Sequence, residues 1–421
     1  MRLVSRKSDL SGEILIPASK SHTIRAVAIA TMAEGRSVLR NPLDSADARA
    51  AFRAAVEFGA KVQEGKDAWT IDGVGGFISP SASFVDVANS GTTLRIFSAL
   101  AALSSQKITF DGDASIRSRP MTPLLDALRN LGVHTKSQND KCPFTVTGPI
   151  LGGRTAVDGI SSQFVTALLF STPLASADTE IQVENLHEKP YVEITLDWLR
   201  FQKIRFEHKG LEWFRVSGNQ KYRAFDRQIP ADFSSATFAL CAAAITQSEI
   251  LIKGLDFDDH QGDKRVFDFL RTMGTEMRHE KDGIRVYGKA LKGIDIDMND
   301  TPDALPALAV VGCFASGTTR LLNVEQARLK ESDRIHAMAA ELKKMGADIE
   351  ELADGLVIKH SELHGADLHG YDDHRMVMAL SLAGMCAGGE TIIDTAESVN
   401  VTYPGFVNDF VNLGAQFKKI K

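Results

Sequence analysis

Charged and hydroxyl side chains gather at six places in the chain, each at the start of an apolar, mostly alanine-rich stretch. These residues are Lys20, Ser21 and Arg25; Asn89 and Arg95; Ser161, Ser162 and Gln163; Asp232; Asp303; and Asp373, His374 and Arg375. Two further polar stretches contain Arg117 and Arg119, and Arg328, Lys330, Glu331, Asp333 and Arg334. Arginine binds carboxylate or phosphate through paired hydrogen bonds, and lysine acts as a point charge. Fixed cations beside a few carboxylates favour polyanionic substrates and a reaction that transfers protons.

Each cluster also has an ordinary structural explanation. Ser and Asp at the start of a helix usually cap it. Residues 329–335 (LKESDRI) fit a capped, solvated helix start, and residues 373–375 fit a surface ion cluster. The constellation as a whole indicates a site, and no single member does.

The sequence excludes several other classes of site. No His and Cys are spaced like metal ligands, so we expect no metal. The ATP-binding pattern G-x-x-x-x-G-K-[ST] is absent, and GVGG at 73–76 is too short for a dinucleotide fingerprint. A net charge of -6 argues against a nucleic-acid or anionic-membrane partner. The N-terminus lacks a signal-like apolar stretch and no apolar run reaches about 18 residues, so we expect a cytoplasmic protein.

A repeat of about 70 residues positions these side chains. The markers, spaced 68 to 73 residues apart, are Ser21, Asn89, Ser161, Ser234, Asp303 and Asp373. Each repeat has an Ala-rich or otherwise apolar helix in its first half and an amphipathic helix in its second, usually closed by glycine. A generic α/β protein with similar helices is the alternative, but it does not explain the even spacing. We predict mixed sheets covered by helices, with the Ala-rich helices inside and the amphipathic ones outside.

The polar cluster of each repeat lies where the inner helix begins. Free backbone N–H groups and the helix dipole make such a point an anion-binding site. If the repeats are related by pseudo-symmetry, several of these helix starts can face one cleft.

An ordered set of motifs runs through the whole chain. The motifs are PASKSHTIRA, NSGTTLR, RSRPM, DGISSQF, KPYVEITL, DFSSA, TPDALP, RLKESDR, DDHRM and TYPGF. In these residues the chain resembles the enolpyruvyl transferase family, in its shikimate-pathway branch. The resemblance implies a two-domain inside-out α/β barrel of six βαβαββ repeats, three per domain. It assigns residues 1–18 and 230–421 to one domain and 19–229 to the other, with the active site in the cleft between them.

The resemblance also implies a reaction without a cofactor, carried out by a monomer. The enolpyruvyl group of phosphoenolpyruvate passes to the 5-hydroxyl of shikimate 3-phosphate, and phosphate is released. Asp303 would take the proton from the acceptor hydroxyl, and Glu331 with Lys20 would handle the methylene proton, close to His374. The implied contacts to shikimate 3-phosphate are Lys20, Ser21, Arg25, Ser161, Ser162, Gln163, Tyr191 and Lys330. The implied contacts to phosphoenolpyruvate are Lys20, Asn89, Gly91, Thr92, Arg119, Arg334 and Arg375, supported by Arg95.

Several positions depart from the family pattern. Glu188 stands where a phosphate-binding serine is usual, and its charge would repel phosphate unless it turns away or pairs with Lys189. Val401 replaces a lysine that often contacts phosphoenolpyruvate. Gln326 stands where some members have an asparagine, and Ile96 replaces a proline that often follows the Arg95 equivalent. These changes bear on acceptor identity and affinity more than on reaction class.

Four alternatives follow. The branch that uses UDP-N-acetylglucosamine carries a reactive cysteine where this chain has Ala114. RNA 3′-phosphate cyclases share the repeat plan but act on nucleic acid. A non-catalytic anion-binding relative would be expected to lose Asp303 or Glu331, and both are present. An enolpyruvyl transferase for a different acceptor is the strongest alternative, because of Glu188 and Val401.

Overall fold

The computed structural model describes residues 1–80 and 83–420. These residues form two compact units. The first comprises Met1–Pro17 and Pro230–Lys421, and the second comprises Ala18–Ile229. The chain therefore begins in one unit, passes through the whole of the other, and returns.

The described residues contain 24 strands. They are β1 (Arg2–Arg6), β2 (Ser11–Leu15), β3 (Arg36–Arg40), β4 (Lys61–Glu64), β5 (Ala68–Asp72), β6 (Phe84–Asp86), β7 (Ile108–Asp111), β8 (His134–Gln138), β9 (Lys141–Thr147), β10 (Gly153–Asp158), β11 (Thr179–Glu184), β12 (Phe206–Lys209), β13 (Trp213–Val216), β14 (Asp226–Gln228), β15 (Glu249–Lys253), β16 (Glu276–Glu280), β17 (Gly283–Tyr287), β18 (Asp295–Asp297), β19 (Thr318–Leu322), β20 (Ile349–Leu352), β21 (Gly355–Lys359), β22 (Asp367–Leu368), β23 (Thr391–Ile393) and β24 (Gln416–Ile420).

The same residues contain 13 α-helices. They are α1 (Lys20–Met32), α2 (Ala46–Glu57), α3 (Gly91–Ala101), α4 (Ala114–Ser118), α5 (Thr122–Asn130), α6 (Ser162–Ser171), α7 (Lys189–Phe201), α8 (Phe233–Ile245), α9 (Arg265–Met273), α10 (Leu305–Phe314), α11 (Arg334–Lys344), α12 (His374–Cys386) and α13 (Phe406–Asn412). Short 3-10 turns lie at Thr172–Leu174, Gly262–Lys264, Pro302–Ala304, Glu325–Leu329 and Ala396–Val401.

Six four-stranded sheets, three in each unit, repeat one pattern across the described residues. Each sheet joins one parallel strand pair to an antiparallel strand pair, as in the order β18-β19-β21-β20. In the first unit the N-terminal strands complete two sheets, since β1 pairs with β23 and β24, and β2 pairs with β15. The mixed α/β content predicted from the repeat is confirmed.

The two kinds of helix differ in burial as their sequences predict. In α8 every residue is buried, and α1, α3 and α10 are buried over almost their whole length. Alanine and other small residues allow helices to pack closely on all sides. The amphipathic helix α9 instead buries only four residues, which line one face. Each unit has its own apolar core, and α8, α10 and α12 contact one another in the first unit.

Candidate functional site

Short polar side chains cap most of the inner helices. Ser19, Ser90 and Ser161 accept backbone N–H groups at the starts of α1, α3 and α6. Asp232 and Asp373 do the same for α8 and α12. Such a cap contributes about 1 kcal/mol to stability. The capping explanation is therefore correct for Ser161, Asp232 and Asp373, and it does not exclude a second role for them.

Arg334 is the centre of an ion network in the first unit. This fully buried side chain donates from Nε to Asp373 at 2.8 Å, from Nη1 to Asp303 at 2.8 Å and from Nη2 to Glu331 at 2.6 Å. Burial of a guanidinium is costly, but the carboxylates of Asp373, Glu331 and Asp303 outweigh that cost and raise the pKa of Arg334. A single buried cation thus fixes three carboxylates that come from separate segments of the chain.

Asp303 lies between several cations. Its Oδ2 accepts from Nη2 of Arg375 at 3.1 Å, its Oδ1 accepts from Arg334, and the ammonium of Lys330 lies 3.8 Å from Oδ1. Arg375 also donates to the backbone carbonyl of Asp303 at 3.3 Å. The Asp303 side chain keeps 14% exposure, so a carboxylate held by cations still reaches the surface of its unit.

His374 is completely enclosed in the same region. Its ring nitrogens have no hydrogen-bond partner, and burial lowers the pKa of the imidazole to about 3. The ring is therefore neutral at physiological pH and cannot serve there as an imidazolium acid. Asp373 beside it keeps a lowered pKa, because Arg334 outweighs the effect of burial.

In the second unit, two arginines meet at the start of α3. A Cβ at Gly91 would lie 2.4 Å from Nη1 of Arg95 and 2.6 Å from Nη1 of Arg119, so any larger residue would displace these guanidinium groups from their present positions. Arg95 donates to Oε1 of Gln163 at 2.9 Å, and its guanidinium lies over the ring of Phe164 at 5.4 Å. Two cations at a helix N-terminus concentrate positive charge, as an anion site requires.

Two predicted residues of this unit are held by acids that the sequence did not point to. The ammonium of Lys20 lies 3.3 Å from Oδ2 of Asp47, whose side chain is nearly buried. Asn89 donates to Asp113 at 2.6 Å, and its own buried amide oxygen has no hydrogen-bond partner. The pairing of Lys20 with Asp47 fixes the position of the ammonium at the start of α1.

One residue predicted to hold the acceptor phosphate, Ser162, already binds a side chain of the protein. Ser162 donates its hydroxyl to Oε2 of Glu188 at 2.9 Å, and Glu188 is 2% exposed. Glu188 has a left-handed backbone with φ 55 at the start of α7. Its carboxylate is therefore turned inward onto Ser162.

Arg25 is also bound within its own unit. It is 1% exposed and donates to the Ser21 carbonyl, to the hydroxyls of Thr195 and Thr166, and to the Tyr191 carbonyl. These bonds tie α1 to α6 and α7. The hydroxyls of Thr166 and Thr195 lie 2.8 Å apart, which completes the network.

The remaining residues singled out from the sequence differ in their burial and in the elements to which they belong. Thr92 is buried in α3, and Gln163 and Tyr191 are half-buried. Gln326 is buried and donates to the Asn299 carbonyl at 3.0 Å, while Val401 lies in the 3-10 turn Ala396–Val401. The structure thus joins Asp303, Lys330, Glu331, Arg334 and Arg375 in one network of the first unit, whereas the predicted residues of the second unit make the separate contacts described above.

Sequence reasoning missed Asp263, a buried acid in the first unit. Asp263 is 2% exposed, and the Ser234 hydroxyl donates to its Oδ2 at 2.5 Å. Burial is the largest cause that raises its pKa to about 7, and the charge of Asp303 adds to it. The Gln-Gly-Asp-Lys sequence is the only signal of this residue, and it shows neither the burial nor the neighbours.

Two features are absent from the described residues 1–80 and 83–420. No group of three or more His, Cys, Asp and Glu side chains is arranged to hold a metal ion. No helix there has the length and apolar character needed to cross a membrane.

Comparison with known proteins gives one consistent result. A family model described as EPSP synthase (3-phosphoshikimate 1-carboxyvinyltransferase) matches residues 4–410. A 3-phosphoshikimate 1-carboxyvinyltransferase of Ruminiclostridium cellulolyticum is 48% identical over 422 residues, covering 100% of both chains. One from Acetivibrio thermocellus is 49% identical and covers 99% of both. The solved EPSP synthase of Acinetobacter baumannii matches with a TM-score of 0.83 and 26% identity over 100% of both chains.

Proposed function

The chain belongs to the EPSP synthase family, and we propose that it transfers the enolpyruvyl group of phosphoenolpyruvate to the 5-hydroxyl of shikimate 3-phosphate. Phosphate is the second product, and the reaction needs no cofactor. The observation that carries the proposal is the network in which Arg334 holds Asp303, Glu331 and Asp373. It offers two partly exposed carboxylates, Asp303 and Glu331, on one buried cation.

The transfer needs one group for each of two protons. Glu331, together with Lys20, protonates the methylene carbon of phosphoenolpyruvate and creates an electrophilic centre. Asp303 takes the proton of the acceptor hydroxyl as its oxygen attacks that centre. The tetrahedral adduct then expels phosphate while a proton leaves the methyl group, which restores the double bond. No net proton or electron is consumed.

The cations bind the reactants and stabilise the charge of the adduct. Arg334 and Arg375 bind the phosphoenolpyruvate carboxylate, which requires the buried Arg334 to release one of its carboxylate partners. Arg119 binds the phosphate in the pocket shaped by Asn89, Gly91 and Thr92. Arginine suits both groups through paired hydrogen bonds. Holding the two reactants in contact removes roughly 7–11 kcal/mol of the barrier.

The acceptor binds mainly through the helix starts of the second unit, and Lys330 of the first unit adds a contact. Ser161, Ser162 and Lys330 take the 3-phosphate, Ser21 and Arg25 the ring and its carboxylate, and Gln163 and Tyr191 its edge. The support is that Ser21, Ser161, Ser162 and Gln163 lie at the N-termini of α1 and α6, where backbone N–H groups attract anions.

We also propose that the chain has the two-domain architecture of the family and that the domains close on the first substrate. The two units act as domains 1–18 with 230–421 and 19–229, each an inside-out barrel of three βαβαββ repeats, with the site in the cleft between them. Closure on the first substrate would expel water and strengthen the electrostatic interactions. The enzyme works as a cytoplasmic monomer.

A different acceptor is the second candidate, and one contact favours it. Glu188 places a carboxylate on the Ser162 hydroxyl, where the 3-phosphate is expected. Two anions on one hydroxyl repel each other unless one moves or is protonated. Acceptors that lack this phosphate would avoid the conflict.

Phosphate release from phosphoenolpyruvate tests the proposal. Purified protein should release phosphate only when shikimate 3-phosphate is also present, with the product confirmed by mass. Release with shikimate but not with its 3-phosphate would establish the second candidate. Release from phosphoenolpyruvate alone, or no release with either acceptor, would contradict transfer.

A further inference from the structure

Asp263 interacts electrostatically with Asp303 and Arg375, to which the proposed reaction assigns the acceptor proton and the phosphoenolpyruvate carboxylate. It belongs to the 3-10 turn Gly262–Lys264, which contacts the start of α8. Its Oδ2 accepts the Ser234 hydroxyl at 2.5 Å, and its Oδ1 is buried without a hydrogen-bond partner. A carboxylate with one unsatisfied buried oxygen is poorly solvated, so this geometry favours the neutral acid.

Charged side chains from three other segments of the chain act on Asp263. Asp232 at the start of α8 and Asp303 of the 3-10 turn Pro302–Ala304 oppose its ionisation, and Arg375 of α12 favours it. The ammonium of Lys264 on its own turn donates instead to the Phe257 and Asp259 carbonyls. Arg265 of α9 pairs with Asp300 at 3.1 Å. Arg375, which donates to Asp303 at 3.1 Å, is therefore a cation whose charge also acts on Asp263.

We propose that Asp263 is a positioning residue for the transfer reaction: as a neutral acid it leaves Arg375 bound to Asp303, and as a carboxylate it draws Arg375 toward itself. The inference rests on the proposed function, because Asp263 acts through Asp303 and Arg375. Loss of the proton adds a negative charge that acts on both groups. Phosphoenolpyruvate, an anion, then binds a site with less positive charge.

The pH dependence of kcat/KM for phosphoenolpyruvate tests this role. The ratio of kcat/KM for the native chain to kcat/KM for Asp263→Asn should fall about tenfold between pH 5.5 and 9. The midpoint of this fall should lie near pH 7, because the native carboxyl group ionises there and the amide cannot. A purely structural role would change the rate equally at every pH. Asp348→Asn, which removes an exposed acid paired with Lys359, is the matched control and should follow the native profile.

A second variant keeps the test independent of Asp263 itself. Ser234→Ala removes the hydroxyl that favours the carboxylate form, so the fall should move to higher pH. Parallel native and Asp263→Asn profiles in an active enzyme, or a shift to lower pH in Ser234→Ala, would overturn the inference alone. No turnover by the native chain at any pH would overturn the proposed function and the inference with it.

Discussion

The stability of the Asp263→Asn variant should depend on pH in a way that can be worked out from burial. An unfolded aspartic acid loses its proton near pH 4, whereas burial raises the pKa of Asp263 to about 7. Below pH 4 both states hold the proton. Between pH 4 and 7 only the folded state holds it, so stability falls by about 1.4 kcal/mol per pH unit. Above pH 7 the whole loss, about 4 kcal/mol, is present.

The variant has no proton at this position and escapes that loss. Its stability relative to the native chain should therefore rise by up to about 4 kcal/mol between pH 4 and 8. Thermal unfolding of the two proteins in matched buffers measures this stability difference. Each kcal/mol should shift the melting temperature by about 2–4 °C. The same series with Asp348→Asn controls for general charge effects, because that side chain is 64% exposed. A stability difference that stays constant from pH 4.5 to 8.5 would refute the buried neutral acid.

Three further outcomes are expected at the site. Gly91→Ala would put a Cβ within 2.6 Å of the Arg119 guanidinium and so disturb a cation that binds phosphoenolpyruvate. Initial rates should show KM for phosphoenolpyruvate raised about tenfold and KM for the acceptor little changed, and equal rises in both would contradict this. Glu188→Ser removes the carboxylate from the Ser162 hydroxyl and should lower KM for shikimate 3-phosphate, with an unchanged KM refuting the conflict. Asp303→Asn should lower kcat by about 10²–10⁴-fold with an unaltered circular dichroism spectrum, and a native rate would remove this residue from the mechanism.

The repeat allowed much of the fold to be predicted from the sequence. The even spacing of Ser21, Asn89 and the later markers reflects one local plan in each repeat, and local plans are readable from helical periodicity and glycine turns. The Ala-rich helix α8 is fully buried because small side chains tolerate neighbours on every side.

The hydrogen-bond and ion-pair partners of the site residues could not be predicted from the sequence. Arg334 binds Asp373, 39 residues away in the chain, and Ser162 binds Glu188 across 26 residues. Residue types indicate which groups can pair, but tertiary packing decides which ones do. Asp263 escaped notice for the same reason, since burial is what gives an ordinary aspartate an unusual pKa.

The position of bond cleavage in phosphoenolpyruvate tests the central claim most directly. Phosphoenolpyruvate labelled with ¹⁸O in the oxygen that bridges carbon and phosphorus is incubated with the protein and shikimate 3-phosphate, and both products are analysed by mass. Addition and elimination at carbon break the carbon–oxygen bond, so the label should leave with phosphate and the acceptor should gain the enolpyruvyl group. Label retained in pyruvate would mean cleavage at phosphorus, and would contradict enolpyruvyl transfer.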